Sequence, residues 1–388
     1  MDASAAPGAI GRAAPPPAAT TSRTAVPASS AAQAGAWIVL LGTAITTVGL
    51  SWDVQWHVEV GPDTFFTLSH LALYSGSALS GIASLAMVLL ATSHQRAGHP
   101  LPRTVGGTPV RVFGGVFTAP LGYLVSGVGA ASFLVYGLLD LAWHSIYGFD
   151  ATLNTPSHVA LFLSITLTMI GSFIVFAAAR DERWGRAGLV LAIPILITFA
   201  PIPTNALSNL PIPIDPTVLG IILFSSMLLI IGRATLRRPG GAVVIASALG
   251  ALQGFLWWFS PWAAETYARS SDLPLRDGLT PKPPEIPAAM PMFLIVAAVL
   301  VETLFWLARS RRLAPRNLML LAGTVSGLIV AAGLPPQQNL TDPTSHISGT
   351  QTLLISFLGL PLGALAGYLG LRFATMLQAL APAPKVAS

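Results

Sequence analysis

The chain has 388 residues, 53% of them hydrophobic and only 9% charged, with a mean hydropathy of +0.70. Soluble domains carry about 25% charged residues, so an ordinary soluble globule is excluded, and the absence of cysteine excludes disulfides, thiolate metal sites and thiol redox chemistry. The net charge of +5 does not mark a nucleic-acid binder, because the basic residues fall in short clusters between apolar blocks, where they orient a membrane protein.

Residues 1–34 are rich in Ala, Pro, Ser and Thr without an apolar run, which predicts a disordered cytoplasmic tail and not a cleaved signal peptide. Apolar blocks follow at 35–55, 67–92, 112–142, 157–179 and 187–203, then at 216–235, 240–260, 288–308, 317–334 and 350–373. A helix needs about 20 apolar residues to cross a bilayer. The pattern therefore predicts an all-α integral membrane protein with ten transmembrane helices and both termini cytoplasmic. The third block is long enough to tilt or to extend past the bilayer. Residues 35–179 form a four-helix region that carries the chemistry, 180–376 a six-helix membrane region, and 377–388 a second tail.

The basic residues test this count. With the N-terminus inside, the tail and the even-numbered loops hold Arg12 and Arg23, then Arg96, Arg103 and Arg111, then Arg180, Arg183 and Arg186, then Arg233, Arg237 and Arg238. The last inner loop has Arg309, Arg311, Arg312 and Arg316, and the C-terminus adds Arg372 and Lys385. Of the 20 basic residues only Arg269, Arg276 and Lys282 fall outside, in one long outer loop. Most acidic residues and histidines take the opposite side, which predicts a multi-pass protein of the cytoplasmic (inner) cell membrane with an extracytoplasmic working face. Trp52, Trp56, Trp143, Trp257, Trp258 and Trp262 lie at that level and are expected to form an interfacial aromatic belt.

The most informative feature is an internal repeat. One copy reads Asp53-Val-Gln-Trp56-His57, Gly61-Pro-Asp63, then Thr67-Leu-Ser69-His70; the other reads Asp140-Leu-Ala-Trp143-His144, Gly148-Phe-Asp150, then Thr155-Pro-Ser157-His158. Spans 1–2 and 3–4 are thus expected to be duplicated helical hairpins. Asp53 and His57, at i and i+4, share one helix face. The Gly61-Pro62 pair turns the chain, which brings His70 back beside His57. One carboxylate and two imidazoles suit copper, zinc or iron, and the negative end of the first helix dipole favours a cation there. Asp140, His144 and His158 repeat the set. Asp63 and Asp150 are candidates for an extra ligand or for the shell around the metal. Thr67 or Ser69, and Thr155 or Ser157, read as helix N-caps.

The pattern Asp-x3-His-x12-His resembles the metal-binding motif of the C subunit of copper membrane monooxygenases, the methane and ammonia oxidisers. Asp53, His57 and His70 match it fully, and the second copy departs by one residue between His144 and His158. The resemblance covers only these segments. It implies metal ligation within a helical bundle, copper as the ion, monooxygenase-like oxidoreductase chemistry, and partner membrane subunits or a homo-oligomer in the lipid bilayer.

Other residues carry weaker signals. Thr344-Ser345-His346, with Asp342 before it, is a partial echo that places His346 among the outer-shell candidates. Met290 and Met292 suit soft Cu(I) but are more simply packing residues. Glu302 is expected to pair with Arg309 or a nearby arginine, and Glu265, Tyr267 and Arg269 to border the outer vestibule. The stretch 200–216, with Asn205, Asn209 and Asp215, suits a lid. Haem between paired histidines would need each pair on one continuous helix, which Gly61-Pro62 opposes. The same ligands also suit a zinc-dependent membrane hydrolase, a transporter or channel for a metal ion or small solute, or an assembly subunit in which the motif serves only folding. No catalytic residue or substrate is named by the pattern.

Overall fold

The computed structural model describes residues 28–61, 63–148, 154–279, 282–311, 313–342 and 344–380. Ten helices among them are long and apolar enough to cross a membrane, and the chain is a multi-pass membrane protein. In chain order the elements are α1 (Ala28–Glu59), α2 (Leu68–Arg96), β1 (Pro109–Val112), β2 (Phe117–Pro120), α3 (Leu121–Tyr147), α4 (Pro156–Ala178), α5 (Arg183–Phe199), α6 (Pro216–Leu236), α7 (Gly241–Ser270), α8 (Glu285–Ala289), α9 (Leu294–Arg311), α10 (Pro315–Thr341) and α11 (Gly349–Leu380).

The helix starts follow from local chemistry. Thr155 caps α4 with Pro156 in its first turn, and Asp215 caps α6 by accepting from the Thr217 N–H at 2.8 Å, with Pro216 next. Proline also explains two departures from the apolar blocks. The third block does not start as helix: Pro109–Pro120 folds into an antiparallel β1–β2 ribbon, with Val110 opposite Ala119, and α3 begins only at Leu121. Its turn uses Gly114 and Gly115 at φ of 66° and 94°, a conformation a helix cannot continue. The eighth block splits at Pro291 into the short α8 and the spanning α9. Helices also overrun the predicted tails: α1 begins at Ala28 and α11 ends at Leu380. The expected N-terminal tail otherwise lies outside the described residues, as do residues 381–388.

Lipid offers no hydrophobic gain for packing one helix on another, so close backbone approach must supply the contact. Small residues line each hairpin. In α1–α2, a Cβ on Gly42 would lie 2.5 Å from the Gly76 carbonyl oxygen. In α3–α4, one on Gly129 would lie 2.5 Å from the Thr168 nitrogen. Gly323 and Gly363 do the same between α10 and α11. α7 closes over α1 through a Ser51–Ser260 hydroxyl contact of 2.8 Å and through Trp52 and Trp56, which pack on Ala263, Ala264 and Ala268. These two tryptophans are therefore interior, Trp56 only 1% exposed, and do not belong to an interfacial belt. Trp258 and Trp262 are exposed and stacked at 5.5 Å, as belt residues are.

Candidate metal centre

The C-terminal turn of α1 and the first turn of α2 meet at one end of the bundle. Asp53 and His57 come from α1, His70 from α2, and Asp63 from the connecting loop. One ligand atom from each of the four lies within 4.8 Å of all the others. His57 Nε2 is 3.1 Å from Asp63 Oδ2 and 3.8 Å from Asp53 Oδ2; His70 Nε2 is 3.2 Å from Asp53 Oδ1 and 3.5 Å from Asp63 Oδ2.

The surroundings set these orientations. His70 Nδ1 lies 2.9 Å from the Thr64 carbonyl oxygen, which only accepts, so Nδ1 carries the proton and Nε2 faces the carboxylates. Asp63 Oδ1 accepts from the Thr64 N–H at 2.8 Å, which turns Oδ2 toward the imidazoles. Ser69, fully buried, donates its hydroxyl to Asp53 Oδ1 at 2.7 Å. Of the two residues expected to cap α2, Thr67 takes the N-cap position, while Ser69 serves the carboxylate. Burial works against the Asp63 carboxylate, but hydrogen bonding from His57 and the charge of His70 outweigh it and hold its pKa below the usual carboxylate value.

A second cluster stands at the junction of α3 and α4. Asp140, His144 and His158 bring their ligand atoms within 4.8 Å of one another. His144 Nε2 is 3.4 Å from Asp140 Oδ2, and His158 Nε2 is 3.6 Å from Asp140 Oδ1. His144 Nδ1 is 3.0 Å from the Gly148 carbonyl oxygen, so its proton also lies on Nδ1. Among the described residues Asp140 Oδ1 is buried with no hydrogen-bond partner. Asp150, expected beside this set, lies outside the described residues.

Both clusters have one electrostatic feature in common. In His70 and His144 the Nδ1 proton is held by a backbone carbonyl, which turns Nε2 toward the carboxylate oxygens. Two acceptors face each other unless a proton or a metal cation lies between them. Asp140 Oδ1, buried and held only by His158 Nε2 at 3.6 Å, has room for a cation as a further partner. The donor set is nitrogen and oxygen only, which fits a divalent first-row ion.

The two clusters open onto one cavity of about 380 Å3. Tyr74 stacks on His70 at 5.8 Å, and Phe162 stacks on His158 at 6.1 Å, each four residues after its histidine. Leu50, Leu73, Phe133 and Ile165 form an apolar floor, and Arg276 and Glu285 stand on the wall, brought by the segment between α7 and α9. A larger cavity of about 530 Å3, between α2, α3 and the β-ribbon, is lined almost wholly by apolar groups, with no carboxylate or imidazole among the described residues that line it.

The remaining candidates fall elsewhere. His346 is exposed in the turn before α11 and belongs to neither cluster. Met290 is buried under Gln337, which donates to its carbonyl oxygen at 2.8 Å, and the Met292 N–H donates to Gln337 Oε1. Tyr267 packs on Trp56, and Glu265 pairs with Arg269 at 4.0 Å on the surface. Residues 202–207 form a single 3-10 helix. Glu302 pairs with Arg233 of α6, at 2.8 Å, and not with Arg309. Comparison of the chain with protein-family models, with characterised proteins and with solved structures finds no match.

Proposed function

We propose that this chain is a membrane metalloprotein with two metal sites at the extracytoplasmic end of the bundle, and that the metal is copper serving an oxidoreductase reaction. The observation that supports it most is the convergence of two Asp/His/His sets, with the imidazole Nε2 atoms directed at carboxylates, on one cavity. Asp53, His57, Asp63 and His70 would hold one ion, and Asp140, His144 and His158 the other. The two hairpins are then copies of one unit. Among divalent first-row ions, sites of this kind favour Cu2+ most, and the resemblance of the first motif to copper membrane monooxygenases agrees. Zinc and iron take the same ligands, and zinc would shift the chemistry to hydrolysis.

Bound copper supplies one-electron redox chemistry. The chain's own contribution is to fix the ligands: Thr64 and Gly148 carbonyls hold the imidazole tautomers, Ser69 holds Asp53, and the stacked Tyr74 and Phe162 restrain the rings. The apolar floor separates the cavity from the bundle interior, which favours a resident ion over a transported one. The arginine clusters support a cytoplasmic position for the opposite end of the bundle. Electron paramagnetic resonance of copper(II)-loaded protein tests this reading: nitrogen hyperfine coupling from imidazole is expected, reduced in part by His57→Ala and in part by His144→Ala. A spectrum of loosely bound aqueous copper, unchanged by either substitution, refutes it.

A further inference from the structure

We infer that Arg276 makes the mouth of this cavity a recognition site for a small organic anion, a monocarboxylate with an apolar body. The inference rests on the metal reading and adds what the cavity selects.

Arg276 belongs to the loop between α7 and α8, far in sequence from the first hairpin. Its backbone N–H donates to the Glu59 carbonyl oxygen at 2.8 Å, which ties that loop to the last residue of α1. Its side chain lies over Gly61, whose φ of 99° already requires glycine. A Cβ at Gly61 would come within 2.3 Å of Arg276 Nη2, so the bare backbone is also what admits the guanidinium. The arginine lines the same cavity as His57, Asp63 and His70.

Of the acids nearby, two are partly engaged, and Glu285, which lines the same cavity, forms no ion pair with Arg276 among the described residues. Asp63 Oδ2 faces the two imidazoles, and Glu59 Oε1 accepts from Gln55 Nε2 at 2.7 Å. Among the described residues no carboxylate forms an ion pair with Arg276. A guanidinium is a planar fork that matches a carboxylate in bidentate fashion. The Asp53 and Asp63 carboxylates would balance a divalent ion in the adjacent cluster, which leaves the Arg276 guanidinium as the cation that an organic anion entering the cavity would meet. The floor of the cavity is apolar, through Leu50, Val54, Phe133 and Ile165. A volume of about 380 Å3 suits a small molecule, such sites running from about 300 to 1,000 Å3. An anionic head at Arg276 and an apolar body on the floor fit this lining.

Calorimetric titration of metal-loaded protein in lipid nanodiscs with hexanoate and with hexanol tests the inference. Hexanoate is expected to bind wild type more tightly than hexanol. Arg276→Gln should weaken hexanoate roughly tenfold or more, the loss of a charge-assisted hydrogen-bonded pair. Arg276→Lys should lose less, hexanol should respond to neither, and metal content and melting should match wild type. No hexanoate binding by wild type, equal binding of hexanol, or unchanged hexanoate affinity in a fully metallated Arg276→Gln protein overturns it. Should the protein hold no metal while Arg276→Gln still loses hexanoate, the metal reading fails and the anion site stands.

Discussion

The Arg233–Glu302 pair offers a measurement of what holds the other end of the bundle together. Arg233 Nε lies 2.8 Å from Glu302 Oε1, with the two side chains 6% and 15% exposed. The same Glu302 oxygen accepts from the Ala242 N–H at 2.9 Å in the first turn of α7, and the guanidinium lies 4.4 Å over the Phe305 ring. One carboxylate thus joins α6, α7 and α9. Removing one partner of a buried pair leaves the other charge uncompensated, at a cost of about 3–5 kcal/mol. The lost bond to Ala242, about 1.5–3 kcal/mol taken alone, overlaps with that figure and does not simply add to it. Glu302→Ala should therefore lose about 3–5 kcal/mol in reversible unfolding by sodium dodecyl sulfate in mixed micelles. Replacing both partners, as Arg233→Met with Glu302→Leu, removes the stranded charge and should recover most of the loss. A loss below about 1 kcal/mol for Glu302→Ala, or a double variant as unstable as the single, would refute this reasoning.

Three further outcomes follow from the site and its scaffold. Ser69→Ala frees Asp53 to rotate and should weaken metal binding at the first site by about 10- to 100-fold, with the second site unchanged in a competitive chelator titration. Gly76→Leu forces side-chain atoms against Gly42 and Thr46, where a Cβ alone would lie 2.5 Å from each; it should cost about 1–3 kcal/mol and lower metal affinity at the first site, because α2 carries His70 away from Asp53. The Asp63 pKa is lowered below its ordinary 3.8, so its contribution to stability is present above that value and is lost as pH falls through the lower folded value. Acid unfolding of metal-free protein should show this loss below about pH 4, and Asp63→Asn should flatten that part of the curve; a curve unchanged by the substitution would count against the assignment.

Much of this architecture was legible in the residues. The ten apolar blocks correspond to ten long helices, because lipid demands continuous helical spans and little else satisfies the backbone. The i, i+4 spacing of Asp53 and His57, and the Gly61-Pro62 turn, were enough to anticipate that His70 returns to them. What escaped was either local backbone chemistry masked by apolar composition or contact between distant segments. The β-ribbon at Pro109–Pro120 hides inside a hydrophobic stretch whose glycines and prolines outweigh its hydropathy. The burial of Trp52 and Trp56 depends on α7, some two hundred residues later in the chain. Ser69 looked like a cap because Ser is common at helix starts, although its fixed place before His70 and, as Ser157, before His158 was a usable signal. No spacing rule could have brought Arg276 to the cavity or matched Glu302 with Arg233, since both depend on how hairpins pack.

The central claim is that two Asp/His/His sets hold metal, and metal content decides it most directly. Protein purified in detergent without chelators would be analysed by mass spectrometry for copper, zinc and iron per chain, beside His57→Ala and His144→Ala. Stoichiometric copper, lost in part from each variant, is the expected result. Well-folded protein that holds no transition metal, even after reconstitution with copper, would contradict the account.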